Sequence, residues 1–103
     1  MSNSLPVHPG EHLAEFLEEF CISQCRLAKE INVSPRRINE IVRGRRGVSV
    51  DMALRLGQFF RTTPEFWMNL QSRYVLKLGQ DRLANDLSRI HSIQDISPVA
   101  LIV

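Results

Sequence analysis

Arginine is concentrated in one short stretch of this chain. Five of the thirteen Lys and Arg residues fall between positions 36 and 46, where Glu40 is the single acidic residue. A guanidinium group can bond the O6 and N7 atoms of guanine together, and the amide of nearby Asn39 can bond adenine in the same bidentate way. These residue types predict contact with DNA. A charge run is also typical of an ordinary solvated surface. The secondary structure that carries these residues must therefore decide between DNA contact and simple solvation.

The segment from residue 24 to residue 43 predicts a helix, a short break and a second helix. Ser23 is a typical N-cap for the first helix, and Asn32 is suited to the left-handed conformation that ends it. Ser34 followed by Pro35 repeats the start signal, because the hydroxyl accepts from an unpaired backbone donor and the proline ring favours the first helical position. This order indicates a helix-turn-helix, in which the second helix is the recognition helix.

The predicted recognition helix, which should end near Gly44, has two different sides at a rotation of about 100° per residue. Ile38, Ile41 and Val42 share one third of the circumference, so we expect them to face the core. The opposite side, called the reading face below, is expected to enter a DNA groove. It has its centre at Arg36, Glu40 and Arg43 and its margins at Arg37 and Asn39. On this face Glu40 would either accept from cytosine or hold a neighbouring arginine in place.

Residues that flank the reading face are predicted to contact the DNA backbone. Gln24 starts the first helix of the motif, which crosses the backbone in this class, and Ser34 can bond a phosphate. Arg45 and Arg46 lie in a Gly-flanked loop and suit phosphate contacts, although they equally suit a solubilising role. The predicted DNA-binding residues are Gln24, Ser34, Arg36, Arg37, Asn39, Glu40, Arg43, Arg45 and Arg46.

The remaining patterns predict an all-α fold. Residues 9–20 place apolar side chains at helical spacing and form the first helix, while Ser49 and Thr63 are N-caps for a fourth and a fifth. Phe66 and Trp67 are expected to close the domain over helices one and four. The predicted divisions are an N-terminal arm at 1–8, a five-helix domain at 9–75, and an extension of helix five with a tail at 76–103.

Length and composition favour one soluble domain. The chain has 103 residues, of which 44% are hydrophobic and 23% charged, and this allows a modest core. A net charge of +2 is too mild to establish a nucleic-acid ligand by itself, so the prediction depends on where the arginines lie. No apolar run approaches the roughly 20 residues that span a bilayer, and no signal-type segment is recognised. We therefore expect a cytoplasmic protein.

Metal binding and catalysis are not expected. Cys21 and Cys25 have a C-x3-C spacing that differs from redox and zinc motifs, and we predict that they are buried, reduced thiols. His8 and His12 would complete a formal zinc ligand set with them, but the spacing matches no known finger or ribbon. There is no Gly-rich phosphate loop and no nucleophile elbow, so the sequence does not favour an enzyme or a cofactor.

Three stretches together resemble a known family. They are the opening HPGE at residue 8, IVRGRRGVSVDMALRL from residue 41, and TPEFWMNLQ from residue 63. The chain from residue 8 to residue 74 is similar to the HigA-type antitoxins, also called VapI-like, within the Cro/C1-type (lambda-repressor-like) helix-turn-helix class. Ala28, Asn32, Ile38 and Ile41 match the positions that this class reserves for small, turn-forming and packing residues.

The resemblance implies two activities. Similar proteins bind and neutralise a small HigB/RelE-like toxin, a ribonuclease that cleaves mRNA, and they repress their own promoter as dimers. Carried onto this chain, the DNA-binding role is implied for Ser34, Arg36, Arg37, Asn39 and Arg43. No short motif identifies the surface that binds the toxin.

A homodimer is expected, because one recognition helix covers only a few base pairs and two half-sites about 34 Å apart are the usual arrangement. The candidate dimer interface on helix five consists of Trp67, Leu70, Tyr74 and Leu78. An aromatic stripe at this spacing is also typical of ordinary core.

The C-terminal region departs from the family pattern. Leu83, Leu87 and Ile90 could extend helix five, whereas Pro98 within the following apolar tail breaks any continuation. An exposed apolar tail invites aggregation, so it either folds back or is covered by another chain, as in an added strand at a toxin or dimer contact. A frayed terminus without a role is the alternative.

Two other functions remain open from the sequence. A stand-alone or phage-type transcriptional regulator would share every DNA-reading residue but have no toxin partner. A protein-interaction module that has lost DNA binding would not need the arginines.

Overall fold

The computed structural model describes residues 5–96, and all regular secondary structure in that range is helical. The prediction of an all-α fold is confirmed. The helices are α1 (Pro9–Glu19), α2 (Gln24–Ile31), α3 (Pro35–Val42), α4 (Val50–Phe60), α5 (Pro64–Arg82), α6 (Ala84–Ser88) and α7 (Ile93–Ile96). None of the helices within this range is long and apolar enough to cross a membrane.

Each of the first five helices begins at a side chain that accepts a backbone hydrogen bond. The predicted caps Ser23, Ser34, Ser49 and Thr63 all do so. Asn32 adopts the expected left-handed conformation, with φ of 62°, at the end of α2. The cap of α1 is His8, whose Nδ1 accepts from the Gly10 N–H at 2.8 Å, a role that the sequence analysis did not assign. Local capping therefore explains the placement of these helix starts.

The core lies where α1, α2, α3, α4 and the start of α5 meet. Ile38 and Ile41 are fully buried, as predicted for the inner side of α3. Trp67 is fully buried too, and its ring packs edge-on against Phe16 of α1 at 5.2 Å and lies 6.2 Å from Phe60 of α4. This confirms that α5 closes the domain over helices one and four.

Helix α3 lies against the start of α1 at very short range. A Cβ at Gly10 would collide with the carbonyl oxygen of Ile41, so only glycine permits this approach. At the end of α3, Gly44 has a φ of 75°, which again favours glycine. The depth and orientation of the recognition helix thus depend on two glycines.

The predicted continuation of helix five is wrong in detail. Helix α5 ends at Arg82, and Leu83 caps it before the short α6 begins. Asn85 and Asp86 follow directly, and such residues favour caps and turns over helix interiors. Residues 93–96 form one helical turn rather than a strand, and the VALIV segment from residue 99 lies outside the described residues.

The predicted burial of the two thiols is also wrong. Cys21 and Cys25 are free, and both are exposed. The core side of α2 is occupied by Leu27, Ala28 and Ile31, and Cys25 precedes Leu27 by two positions, about 200° away around the helix. Within residues 5–96 no group of three or more His, Cys, Asp or Glu side chains could hold a metal ion.

Candidate nucleic-acid interface

The recognition helix α3 has the two sides that its sequence predicts. While Ile38 and Ile41 are buried, Asn39 and Arg43 are exposed, and the side chain of Arg36 is 88% exposed. The hydroxyl of Ser34, at the start of the helix, accepts from the Arg37 N–H at 3.2 Å. The helix therefore presents guanidinium and amide groups to solvent from a backbone that the core holds in place.

Glu40 connects the reading face to the loop that follows α3. Its Oε2 accepts from Arg36 Nε at 3.1 Å, and its Oε1 accepts from Arg46 Nε at 2.8 Å. The backbone carbonyl of Glu40 also accepts from the N–H groups of Arg45 and Arg46, at 2.8 and 3.2 Å. The hydrogen bonds from Arg46 and then Arg36 hold the pKa of the Glu40 carboxyl below its ordinary value. Of the two predicted roles for Glu40, the structure shows the one in which it holds neighbouring arginines.

Arg37 is turned toward α4. Its Nη2 donates to Ser49 Oγ at 3.3 Å and to Asp51 Oδ2 at 3.2 Å, and its Nε is buried without an acceptor. This side chain is less than one third exposed. Arg37 therefore joins the recognition helix to the start of α4, and its guanidinium is less accessible than that of Arg36.

The first helix of the motif meets the reading face at Gln24. The side-chain oxygen of Gln24 accepts from Asn39 Nδ2 at 3.1 Å, which brings two predicted DNA-binding residues together. Arg43 and Arg45, by contrast, are exposed and form no ion pair or hydrogen bond through their guanidiniums within the described part of the chain. These two groups are available to an anionic ligand without breaking any protein contact.

Two residues that support the interface were not identified from the sequence. Arg55 of α4 donates from Nη1 to the Ile31 carbonyl at 2.7 Å and from Nε to both carboxylate oxygens of Asp51 at 3.1 Å. It thereby places a cation at the C-terminal end of α2, where the helix dipole favours one. The i,i+4 spacing of Asp51 and Arg55 indicates their pairing, but nothing local indicates which carbonyl Arg55 reaches.

Gln71 is the second of these residues. Its Oε1 accepts from the Val48 N–H at 2.6 Å, so α5 holds the loop that carries Arg45 and Arg46. A Cβ at Gly47 would lie about 2.8 Å from this amide, which leaves room only for glycine unless the amide moves. No local sequence pattern predicts this hydrogen bond, because Val48 and Gln71 are 23 residues apart.

The four residues predicted for a dimer face do not share one environment. Trp67 has no exposed surface, so the core occupies it completely and it offers nothing to a second copy. Leu70 and Tyr74 are half-buried, and the Tyr74 ring packs edge-on against His8 at 4.7 Å. Leu78 is 43% exposed. Seven further large apolar residues beyond Tyr74 are exposed in the described chain: Val75, Leu76, Leu83, Leu87, Ile90, Ile93 and Ile96.

Comparisons with known proteins agree with this geometry. A family model described as a helix-turn-helix matches residues 13–67. Virulence-associated protein I of Dichelobacter nodosus is 46% identical over 80 residues, which cover 76% of this chain and 74% of the relative.

Solved structures give the same result. The Pseudomonas aeruginosa antitoxin HigA with the higBA promoter is 47% identical, with a TM-score of 0.81 over 85% of this chain and 98% of that one. An addiction module antidote protein of a HigA family from Coxiella burnetii is 39% identical, with a TM-score of 0.83 over 86% and 98% of the two chains.

Proposed function

Because the chain belongs to the Cro/C1-type helix-turn-helix family of HigA- and VapI-like antitoxins, we propose that it neutralises a toxin and represses its own promoter. The observation that carries the DNA-binding part is the reading face, where Arg36, Asn39 and Arg43 are exposed on a helix that buries Ile38 and Ile41 completely on its other side. The Pseudomonas aeruginosa relative, which is 47% identical, was solved with promoter DNA.

In this proposal α3 lies in the major groove of the operator. Arg36, Asn39 and Arg43 contact base edges, for which guanidinium and amide groups have the right donors and acceptors. Arg45 contacts a phosphate, which adds affinity without sequence preference, whereas Arg46 is held by Glu40 at 2.8 Å and contributes less. The starts of the two motif helices, at Gln24 and Ser34, contact the backbone and fix the orientation of α3. Arg37 acts mainly by holding α3 against α4, because its guanidinium already binds Ser49 and Asp51.

We further propose that the chain acts as a homodimer through its C-terminal helices. Eight large apolar residues between Val75 and Ile96 are exposed, and no residue from 68 to 96 is buried. Monomeric proteins rarely expose large contiguous apolar surfaces, so this concentration of exposed apolar residues favours a partner that covers them. A second copy would cover them and would place a second recognition helix at the next half-site, about 34 Å away.

The toxin partner is proposed as a HigB/RelE-like ribonuclease that cleaves mRNA, and the place of action as the cytoplasm, with the protein on the nucleoid when DNA is bound. Support for the toxin comes from the antitoxin relatives. The test is co-expression with the protein encoded beside this chain. Rescue of growth by this chain, and co-purification of the two proteins, would support neutralisation. A neighbouring gene without a toxic product would favour a stand-alone regulator that uses the same reading face.

The DNA-binding part is tested by titrating the protein with its own upstream duplex and with random duplex over a salt series. We expect a preference of about a thousandfold or more for the upstream fragment, as specific regulators show. Weak binding that ignores sequence at every salt concentration would contradict autoregulation by this protein alone.

A further inference from the structure

Glu40 is the single acidic residue between positions 36 and 46, where five arginines lie. Its carboxylate lies between Arg36 on α3 and Arg46 in the following loop, and each of its oxygens accepts from one of them. The Glu40 side chain is only 23% exposed, whereas those of Arg36 and Arg46 are 88% and 51% exposed. The carboxylate is thus partly covered by the two groups that reach solvent.

This geometry argues against direct base contact by Glu40. Both oxygens of Glu40 already accept from guanidiniums, at 3.1 and 2.8 Å, and the side chain is only 23% exposed, so little of the carboxylate is accessible to a cytosine amine. In its observed position Glu40 faces arginines rather than a groove.

The ion pairs of Glu40 are not explained by folding stability. Surface pairs with exposed arginines contribute little to stability, because water screens them and two long side chains lose freedom. These ion pairs have a larger effect on DNA binding. A cationic side chain that contacts a phosphate releases counterions from the DNA, whatever the base sequence. An arginine held by a carboxylate contributes less to that non-specific attraction.

We propose that Glu40 is a specificity-determining residue that acts through its two arginines. It orients the Arg36 guanidinium for base contact, and it neutralises Arg46 enough to weaken binding to random DNA. The inference rests on the proposed DNA-binding function and adds a role for an acidic residue that contacts neither base nor phosphate.

The test is Glu40→Gln, which keeps a hydrogen-bond acceptor of the same size and removes the charge. We expect affinity for random duplex to rise several-fold, with a salt slope steeper by about 0.9 per protomer, as one additional phosphate contact gives. Affinity for the upstream operator should rise less or fall, so that specificity drops by about tenfold.

Glu30→Gln is the matched control. Glu30 also accepts from an arginine four residues earlier, at 2.7 Å from Arg26 Nε, but it lines a surface depression with Ile31, Arg55 and Phe59 on the α2 and α4 side. This variant should leave both affinities and both salt slopes unchanged. A similar gain from Glu30→Gln would show that net charge alone matters, and would overturn the role of Glu40.

A double variant tests whether Glu40 acts through Arg46. In an Arg46→Ala background, Glu40→Gln should no longer raise affinity for random DNA, and persistence of the gain would overturn the inference. An equal loss of affinity for both duplexes in Glu40→Gln would also overturn the inference. A loss of affinity restricted to operators with one particular C·G pair would overturn it too, because Glu40 would then be a direct base contact. The wild-type preference for the upstream fragment is measured in the same titrations, and its absence would count against the proposed function instead.

Discussion

At the scale of single residues, His8 combines three features that were not predicted from the sequence. It caps α1, it is 8% exposed, and its ring packs edge-on against Tyr74 of α5. Burial lowers the pKa of His8, and the nearby carboxylate of Glu11 offsets this in part. The neutral ring is the form that can accept from the Gly10 N–H, so the cap and the lowered pKa favour the same state.

The lowered pKa of His8 predicts a pH-dependent stability. Above the ordinary histidine pKa the ring is neutral in both the folded and the unfolded chain, and the contribution of His8 to the free energy of unfolding is fully present. As the pH falls through about 6.5 the unfolded chain takes up a proton first, so the free energy of unfolding decreases until the folded pKa is reached.

Urea unfolding between about pH 7.5 and about pH 5 measures this loss, and His8→Asn is the control because asparagine keeps a capping acceptor without titrating. The variant should lose less stability than the wild type over this range. Identical pH profiles would show that His8 does not contribute.

The exposed arginines give a second prediction at this scale. Arg43 and Arg45 make no ion pair within the described chain, so replacing either with alanine should leave the fold intact. Arg43→Ala should cost about 1–3 kcal/mol on the operator and relax preference at one base pair. Arg45→Ala should weaken operator and random duplex equally and reduce the salt slope by about 1. Equal effects of the two variants on both duplexes would mean that the reading face is misassigned.

At the scale of elements, the helix-turn-helix is braced by α4. Asp51 accepts from Arg37 of α3 and from Arg55 of its own helix, and Arg55 in turn donates to the last carbonyl of α2. One short chain of charged groups therefore holds both helices of the motif.

Arg55→Met should remove this brace and keep most of the side-chain volume. We expect a loss of about 1–2 kcal/mol in the free energy of unfolding, since a hydrogen bond from a charged group is lost and solvent screens the partly exposed ion pair. Arg26→Met is the control, because it breaks only the exposed pair with Glu30 and should cost about 0.5 kcal/mol or less. Thermal or urea denaturation measures both, and equal losses would argue against the brace.

At the scale of the whole molecule, the chain is elongated. Its radius of gyration is 18.4 Å, compared with about 13 Å for a compact domain of this length. No residue from 68 to 96 is buried, so the C-terminal helices lie outside the core. A projecting arm with exposed Val75, Leu76, Leu78 and Leu83 is typical of a surface that another chain covers.

Leu78→Asp should therefore prevent dimer formation, because a carboxylate cannot enter an apolar interface without a partner. Sedimentation equilibrium would give a mass near 11.8 kDa for this variant and twice that for the wild type. Leu54→Asp is the control, since Leu54 of α4 is also exposed but lies outside the C-terminal helices. A monomeric wild type, or loss of the dimer in both variants, would contradict the proposed interface.

The sequence by itself determined the features that depend on near neighbours along the chain. The caps at Ser23, Ser34, Ser49 and Thr63, and the left-handed Asn32, are decided within a few residues, and so are the two sides of α3. The family followed from motifs of the same local kind. Thus most of the fold and the identity of the exposed arginines could be predicted.

Only the tertiary structure decided which of those side chains are free. Arg37 and Arg55 both donate to Asp51, and Gln71 accepts from the Val48 N–H. Trp67, a predicted dimer-face residue, is fully buried in the core. The exposure of Cys25 likewise depends on which side of α2 meets its neighbours, while Cys21 lies in the turn between α1 and α2. These outcomes join positions far apart in the chain, and helical periodicity cannot say which distant group a long side chain will meet.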